Sequence, residues 1–508
     1  MLTKLRHAIK HSAVYGLSNV ATKAIGVILL PIYTDYFTPE QYGNLGLLLI
    51  TIIIISQVLV AGQGQAVVRF NNSLEFKNEK KSIFFTLTVL LLIIVFVFTS
   101  ISELFLSQIA HMFLEPEEYY VLIRISIYII SFTIINSLFL NQIRADEKSV
   151  IYTIIGIAKL LVTLLFTIYL IIYSKLGIEA VLYGQLAGEV INLILILPMM
   201  LKKMELKFNI NIIPESLKFG IPLIFSALAM NLLNGSDRYI LKYLSGSHDL
   251  GLYELGYKFA GVLNMFVLMP FSLTLLPMAY NVYKKEGDKR FYSKIMTYFT
   301  FILMWCGLAL SLFGKDLIIT FSSSPSFYPA HTVVPLITLS YIIFGMSMVA
   351  SLGMYLTGRT NSVAIINLLC AGLNIGLNFW LIPQMGMMGA AINTLVAFIF
   401  LLIFSYKASN KYYKIDFEIK KLILLISLGC FLFLIDITLN NYGIVLKIFI
   451  KVFLIAIFPF ILYAFKFYEK SELRIIKMIF SLIINFSKSK EKISDILSKF
   501  SNYKDQNE

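Results

Sequence analysis

Fourteen long apolar runs follow one another along the chain, and the second six echo the first six at a spacing of about 208 residues. A helix needs roughly 20 apolar residues to cross a bilayer core. Runs of that length and number leave almost no chain for a soluble domain. They fall at 12–33, 43–68, 82–104, 119–140, 150–173, 178–200, 219–242, 251–280, 295–313, 328–356, 361–382, 386–406, 419–438 and 443–465. Only 14% of residues are charged and the mean hydropathy is +0.80, where a soluble domain is about a quarter charged. The chain reads as an all-α polytopic membrane protein with 14 transmembrane helices. A repeat of six-helix halves is a plan of secondary transporters, which place the substrate site between the repeats.

The repeat has local anchors. Gly43 and Gly251 each open the next run at an offset of 208, and Leu176-Gly177 aligns with Met385-Gly386 at 209. Six helices per half is an even number, so both halves cross in the same sense. Two six-helix bundles related by a pseudo-two-fold axis along the membrane normal are expected. This gives an N-terminal half at 1–200 and a second half at 201–410. Two further helices occupy 411–467, and 468–508 is a basic cytoplasmic tail. In that tail Leu473, Ile476, Ile479 and Phe480 recur at helical spacing, the pattern of a helix lying on a membrane surface. The basic N-terminus leads into a long run without a small-residue cleavage site, which reads as a retained first helix.

Charge sets the orientation, because cytoplasmic loops are rich in Lys and Arg. The two termini and alternate loops, with the run ends that adjoin them, carry 33 basic residues, and the loops and run ends between them carry 4. Both ends are therefore expected in the cytoplasm, with the protein in the cell membrane. The net charge of +14 is this topological signal and gives no reason to expect nucleic acid as a partner. Cys306, Cys370 and Cys430 all lie inside apolar runs, so no disulfide framework or metal site is expected. There is no phosphate-binding glycine loop, no metal-ligand spacing and no nucleophilic triad, so neither an enzyme nor a cofactor is expected.

Apart from Lys242, Lys420, Lys421 and Lys447, which lie close to run ends, six basic residues fall inside the runs: Lys23, Arg124, Lys159, Arg238, Lys258 and Lys451. A charge at the bilayer centre costs about 2.5–3.5 kcal/mol, so such residues normally face a cavity or a partner. Glu254 and Lys258 are four apart and suit a pair on one helix face. Lys23, Arg124 and Lys159 all lie in the first half and suit a cationic cavity, with pairing to acids such as Glu189 as the other reading. Asn19 gives the first helix a polar face beside Lys23. Asn231, Asn234, Asp237 and Arg238 do the same for the seventh, where the last two also suit an ion-pair network. The second run holds Gly62 and Gly64. The eighth holds Pro270, at the position equivalent to Gly62, and Pro277. Interruptions at matching places of two repeats point towards a transport path.

The chain resembles the Wzx-like polysaccharide flippases of the multidrug/oligosaccharidyl-lipid/polysaccharide exporter superfamily. The resemblance rests on Tyr15-Gly-Leu-Ser-Asn19, Leu30-Pro-Ile-Tyr-Thr-Asp35, Phe37-Thr-Pro-Glu-Gln-Tyr-Gly43 and Gly64-Gln-Ala-Val-Val-Arg-Phe70. Further on it rests on Phe219-Gly-Ile-Pro222, Ser236-Asp-Arg-Tyr-Ile240 and Gly251-Leu-Tyr253. It implies six-helix bundles flanking a central cavity, and flipping of an undecaprenyl-diphosphate-linked oligosaccharide to the outer leaflet by alternating access. Lipid-linked oligosaccharide and membrane lipids would be the partners, with other polysaccharide-assembly membrane proteins beside them. A carrier for peptidoglycan or teichoic-type precursors differs only in headgroup. A drug/cation antiporter of the same superfamily would favour acidic rather than basic cavity residues. A polysaccharide polymerase would be expected to carry a large outer loop and no internal repeat.

Overall fold

The computed structural model describes Gly26 and residues 29–73, 75–113, 120–437 and 443–469. Asn19, Lys23, most of the first run and nearly all of the basic tail lie outside them. Among the described residues every regular element is helical, and eleven helices are long and apolar enough to cross a membrane.

The first run closes as α1 (Leu30–Tyr36), and the second divides into α2 (Pro39–Leu59) and α3 (Gln63–Asn72). Then come α4 (Lys80–Leu104), α5 (Leu106–Phe113), α6 (Tyr120–Ala145), α7 (Ser149–Ile172) and α8 (Glu179–Leu201). The second half runs through α9 (Ile212–Ser245), α10 (Ser247–Leu263), α11 (Met269–Val282), α12 (Asp288–Phe321), α13 (Val334–Ala350), α14 (Leu352–Leu356) and α15 (Thr360–Tyr412). They are followed by α16 (Ile419–Ile437) and α17 (Ile444–Ala464).

At 53 residues α15 is twice the length of a bilayer crossing. It is a hairpin of two spans. Gly386 is non-helical (φ 52°, ψ −132°), and Asn393 Nδ2 donates to Asn374 O at 2.7 Å. Residues 19 apart on a straight helix would be separated by roughly 28 Å. The eleventh and twelfth runs are thus two crossings joined at Gly386. The count of fourteen goes further than the described residues: the first run is mostly outside them, and α16 carries Lys420, Lys421 and Asp436 within 19 residues.

The turn between α1 and α2 shows how sequence fixes the local geometry. Thr38 Oγ1 accepts from Gln41 N, and Gln41 Oε1 accepts from Thr38 N, a reciprocal cap. Pro39 fills the first helical position, where its missing N–H costs nothing. Four residues on, Gly43 meets its counterpart in the repeat. A Cβ on Gly43 would lie 2.5 Å from Ser247 O and 2.7 Å from the backbone N of Gly251. Equivalent residues of two repeats touch only near the axis relating them, so α2 and α10 cross there backbone to backbone.

A second feature of the repeat was not read from sequence. Ser82 Oγ, at the start of α4, donates to Lys207 O at 2.8 Å, and Thr86 Oγ1 accepts from Asn209 N at 2.9 Å. At the start of α12, Ser293 Oγ donates to Asp416 O at 2.8 Å, and Thr297 Oγ1 donates to Glu418 Oε2 at 2.8 Å. In each half a Ser and a Thr four apart pin the chain that leaves the sixth span.

The described residues cluster into two compact units divided between Ile419 and Lys420. In the first unit α9 packs on α15, α7 on α8, and α2 on α10. In the second, Lys451 of α17 is buried and lies 3.9 Å from Asp436 of α16.

Candidate functional site

The two halves meet along α2, α3, α9 and α10. The second span breaks where Gly62 marks it: Ala61 (φ 52°) and Gly62 (φ 69°) are both left-handed, between the end of α2 and the start of α3. A non-glycine residue with positive φ stores strain, which persists only where packing imposes it. Here the packing is Gly220 of α9, whose backbone sits so close that a Cβ on Gly62 would lie 2.7 Å from Gly220 O. Two turns further, Arg69 pairs with Glu215 at 3.6 Å and its guanidinium lies 4.8 Å from the centre of the Phe219 ring. Gly64 packs against Asn141 of α6. At the matching place in the eighth span, a π-helical turn at Asn264–Leu268 immediately precedes Pro270, which opens α11, and Pro277 lies within that helix.

Between these ends the seam is polar. Asn231 Nδ2 donates to Gln57 Oε1, and Thr51 and Tyr239 share a hydrogen bond of 2.7 Å. Asn234 turns back on its own helix. Its amide donates to Met230 O, and its backbone carbonyl accepts from Arg238 Nη1, both at 2.7 Å.

Asp237 and Arg238 form a closed ion network. Arg238 donates to Asp237 at 3.0 Å and to Glu254, and stacks 4.2 Å from the centre of the Tyr257 ring. Asp237 also accepts from Tyr253 Oη at 2.5 Å. The Arg238 and Asp237 side chains are 7% and 3% exposed. A guanidinium so deeply buried must have its donors satisfied, and this one takes both carboxylates. That is why Glu254 does not pair with Lys258, as the i,i+4 spacing had suggested.

Lys159 and Arg124, the first-half cations of the runs that lie among the described residues, also have acids. Lys159 Nζ lies 2.5 Å from Glu189 Oε1, and Glu189 accepts further from Thr133 and Asn136. Arg124 Nε lies 3.3 Å from Glu103 Oε2 near the helix ends, with its side chain half exposed. Lys258 differs. Of Arg124, Lys159, Arg238, Lys258 and Lys451, it alone has no carboxylate within ion-pair distance, although Glu254 one turn away on the same helix still acts on its charge. Its Nζ donates to Tyr42 Oη at 3.0 Å and lies 5.6 and 5.3 Å from the ring centres of Tyr33 and Tyr42, within cation–π range. A Cβ on Gly26 would come within 3.2 Å of Lys258 Cε, so the first span lies against it. A second-half lysine therefore sits between the halves in a cage of first-half tyrosines. Sequence reasoning missed it because the helical neighbour Glu254 offered a ready partner.

Three comparisons bear on this arrangement. The profile of the family described as "Polysaccharide biosynthesis protein" matches residues 8–283, and the MatE profile matches 222–380. The capsular polysaccharide biosynthesis protein CapF of Staphylococcus aureus is 25% identical over 213 residues, which are 40% of this chain. The chain spans about half the length of that curated relative, 52%. Among solved structures, the lipid II flippase MurJ in an inward closed conformation superposes with a TM-score of 0.74 at 15% identity, over 90% of this chain and all of that one. An inward-facing multidrug resistance MATE family transporter of the MOP superfamily gives 0.63 at 13%, over 82% and 96%. At these identities the likeness is one of fold.

Proposed function

The chain belongs to the polysaccharide biosynthesis protein family, and from that premise we propose that it is a membrane transporter for a lipid-linked polysaccharide precursor. The cargo is an undecaprenyl-diphosphate-linked oligosaccharide, moved from the cytoplasmic to the outer leaflet. The observation that carries this reading is Lys258. A buried cation held between two halves by tyrosines, with no carboxylate in ion-pair reach, is short of counter-charge and therefore open to an anion. A diphosphate is the anionic part of such a cargo, and a charge-assisted contact to it is about twice as strong as a neutral one. Arg124 and Lys159 are already occupied by Glu103 and Glu189, so the second half takes a larger share of the headgroup than the first-half cations alone suggested. Lys23 precedes Gly26 by three residues in the sequence and is the natural second cation.

The direct test is reconstitution. Purified protein in vesicles should raise the rate at which a fluorescent lipid-diphosphate oligosaccharide changes leaflets, read by the headgroup's accessibility to an impermeant quencher. No acceleration over protein-free vesicles would overturn the reading. The orientation is tested separately. Tags near Pro116 should report outside, and tags near Lys284 or after Glu508 should report inside. Labelling of Lys284 by an impermeant reagent in intact cells would reverse it.

A further inference from the structure

Residues 322–332, between α12 and α13, cross the seam on the face opposite the basic loops. They are rooted in the second half: Ala330, Val333 and Val334 are fully buried, and Ala330 O lies 2.6 Å from where a Cβ on Gly256 would be. Their grip on the first half is lighter. Ser323 N donates to Thr34 Oγ1 and Ser323 Oγ donates to Pro31 O, each at 3.0 Å. Phe327, fully buried, sets its ring edge-on against Tyr42 with centres 5.8 Å apart. Tyr42 is the same residue whose hydroxyl accepts from Lys258.

We infer that residues 322–332 are a strap closing the outer side of the seam, and that Tyr42 couples the strap to occupancy of Lys258 by an anionic phosphate group. This rests on the reading of Lys258 given above. One ring carries both contacts. An anion that draws Lys258 Nζ away from Tyr42 Oη removes the hydrogen bond that fixes the ring, and with it the seat of Phe327. Ligand binding can shift such a two-state contact only by binding the two states unequally. The Lys258–Tyr42 bond supplies that difference, because it is intact when the strap is seated and is lost when the anion takes the lysine. The strap would then part from Thr34 and Pro31 by breaking two hydrogen bonds, while its root on Gly256 stays in place. Tyr42 is a positioning residue in this scheme and need not touch cargo.

The test uses the full chain with its three cysteines replaced and one thiol added by Ser322→Cys, a position buried while the strap is seated. The backbone donor to Thr34 remains in this variant. Inorganic pyrophosphate is the probe, its binding measured by calorimetry and strap release by the rate of maleimide labelling. Pyrophosphate should speed labelling roughly fivefold or more, the low end of ordinary coupling between sites. Tyr42→Phe removes the hydroxyl and with it the bond that fixes the ring, so the strap should label at the faster rate without ligand, and pyrophosphate should still bind but no longer change that rate. Binding without any labelling response in the Tyr42 chain, or an undiminished response in Tyr42→Phe, would overturn the coupling while leaving the Lys258 reading intact. Absence of binding would overturn both. A Thr34→Cys, Ser323→Cys pair tests the strap without any ligand: once oxidised it should stop polysaccharide export, and reductant should restore it. Export that continues with the crosslink formed would show that the strap is no gate.

Discussion

Arg238→Ala is expected to remove most of the protein from the membrane rather than merely to slow it. The guanidinium is the cation for two carboxylates, Asp237 and Glu254, whose side chains are 3% and 17% exposed. Truncation leaves Asp237 buried without a counter-ion and Glu254 with only Lys258 nearby, and breaking a buried pair in this way costs about 3–5 kcal/mol. The stacking on Tyr257 and the bond to Asn234 O are lost with it. Arg238→Lys should recover only part, because an ammonium cannot fork to both acids as a guanidinium does. Combining Arg238→Met with Asp237→Asn and Glu254→Gln should restore much of the amount, since no charge is then left unpaired. The measurement is membrane-inserted protein at equal expression, with the thermal midpoint in detergent beside it. If Arg238→Ala accumulated and melted like the parent but lost export, Arg238 would belong to the cargo path, as its place among the cavity candidates first suggested.

That result would also mark how far the sequence could be read. Long-range architecture was legible where a single residue type has one physical use. Gly43 and Gly251 announced a repeat by opening matching runs; the helices themselves open four residues earlier, at Pro39 and Ser247, and the two glycines are the point where α2 and α10 touch. Gly62 marked a place where the chain takes a left-handed turn. The tenth run, read as 328–356, begins in a 3₁₀ turn at Pro325–Thr332, because hydropathy cannot distinguish a span from an apolar strap packed under one.

Charges were harder to read, and the reason is energetic. An i,i+4 ion pair is worth about 0.2–0.5 kcal/mol. A buried guanidinium 16 residues away outbids it easily. So Glu254 goes to Arg238, which leaves Lys258 with Tyr42. Lys159 was readable only as a choice between cavity and Glu189, and the structure shows the pair. Arg124 had no visible partner in its own run, since Glu103 lies 21 residues earlier on another helix. Pairing across helices is decided by packing, which no local spacing encodes.

Lys258→Ala should behave in the opposite way to Arg238→Ala. No carboxylate depends on Lys258, so its loss orphans no acid, and removing a charge from within the bilayer lowers the cost of insertion. The protein should reach the membrane in parental amounts. Export should fall, because one charge-assisted contact to phosphate is worth roughly 1.5–3 kcal/mol, on the order of tenfold or more in affinity. Lys258→Arg should keep more activity than Lys258→Met, which preserves the length of the side chain but not its charge. Lys159→Ala makes the useful contrast: it strands Glu189, so its first effect should be on protein amount. Surface polysaccharide would be compared at matched protein levels. Full export by Lys258→Ala would end the anion-site reading. It would leave Lys258 as a clamp that ties α10 to Tyr33 and Tyr42, with the diphosphate held elsewhere. A fall in export shared by Lys258→Met and spared in Lys258→Arg would instead locate the need in the charge itself, because of the two only arginine keeps it.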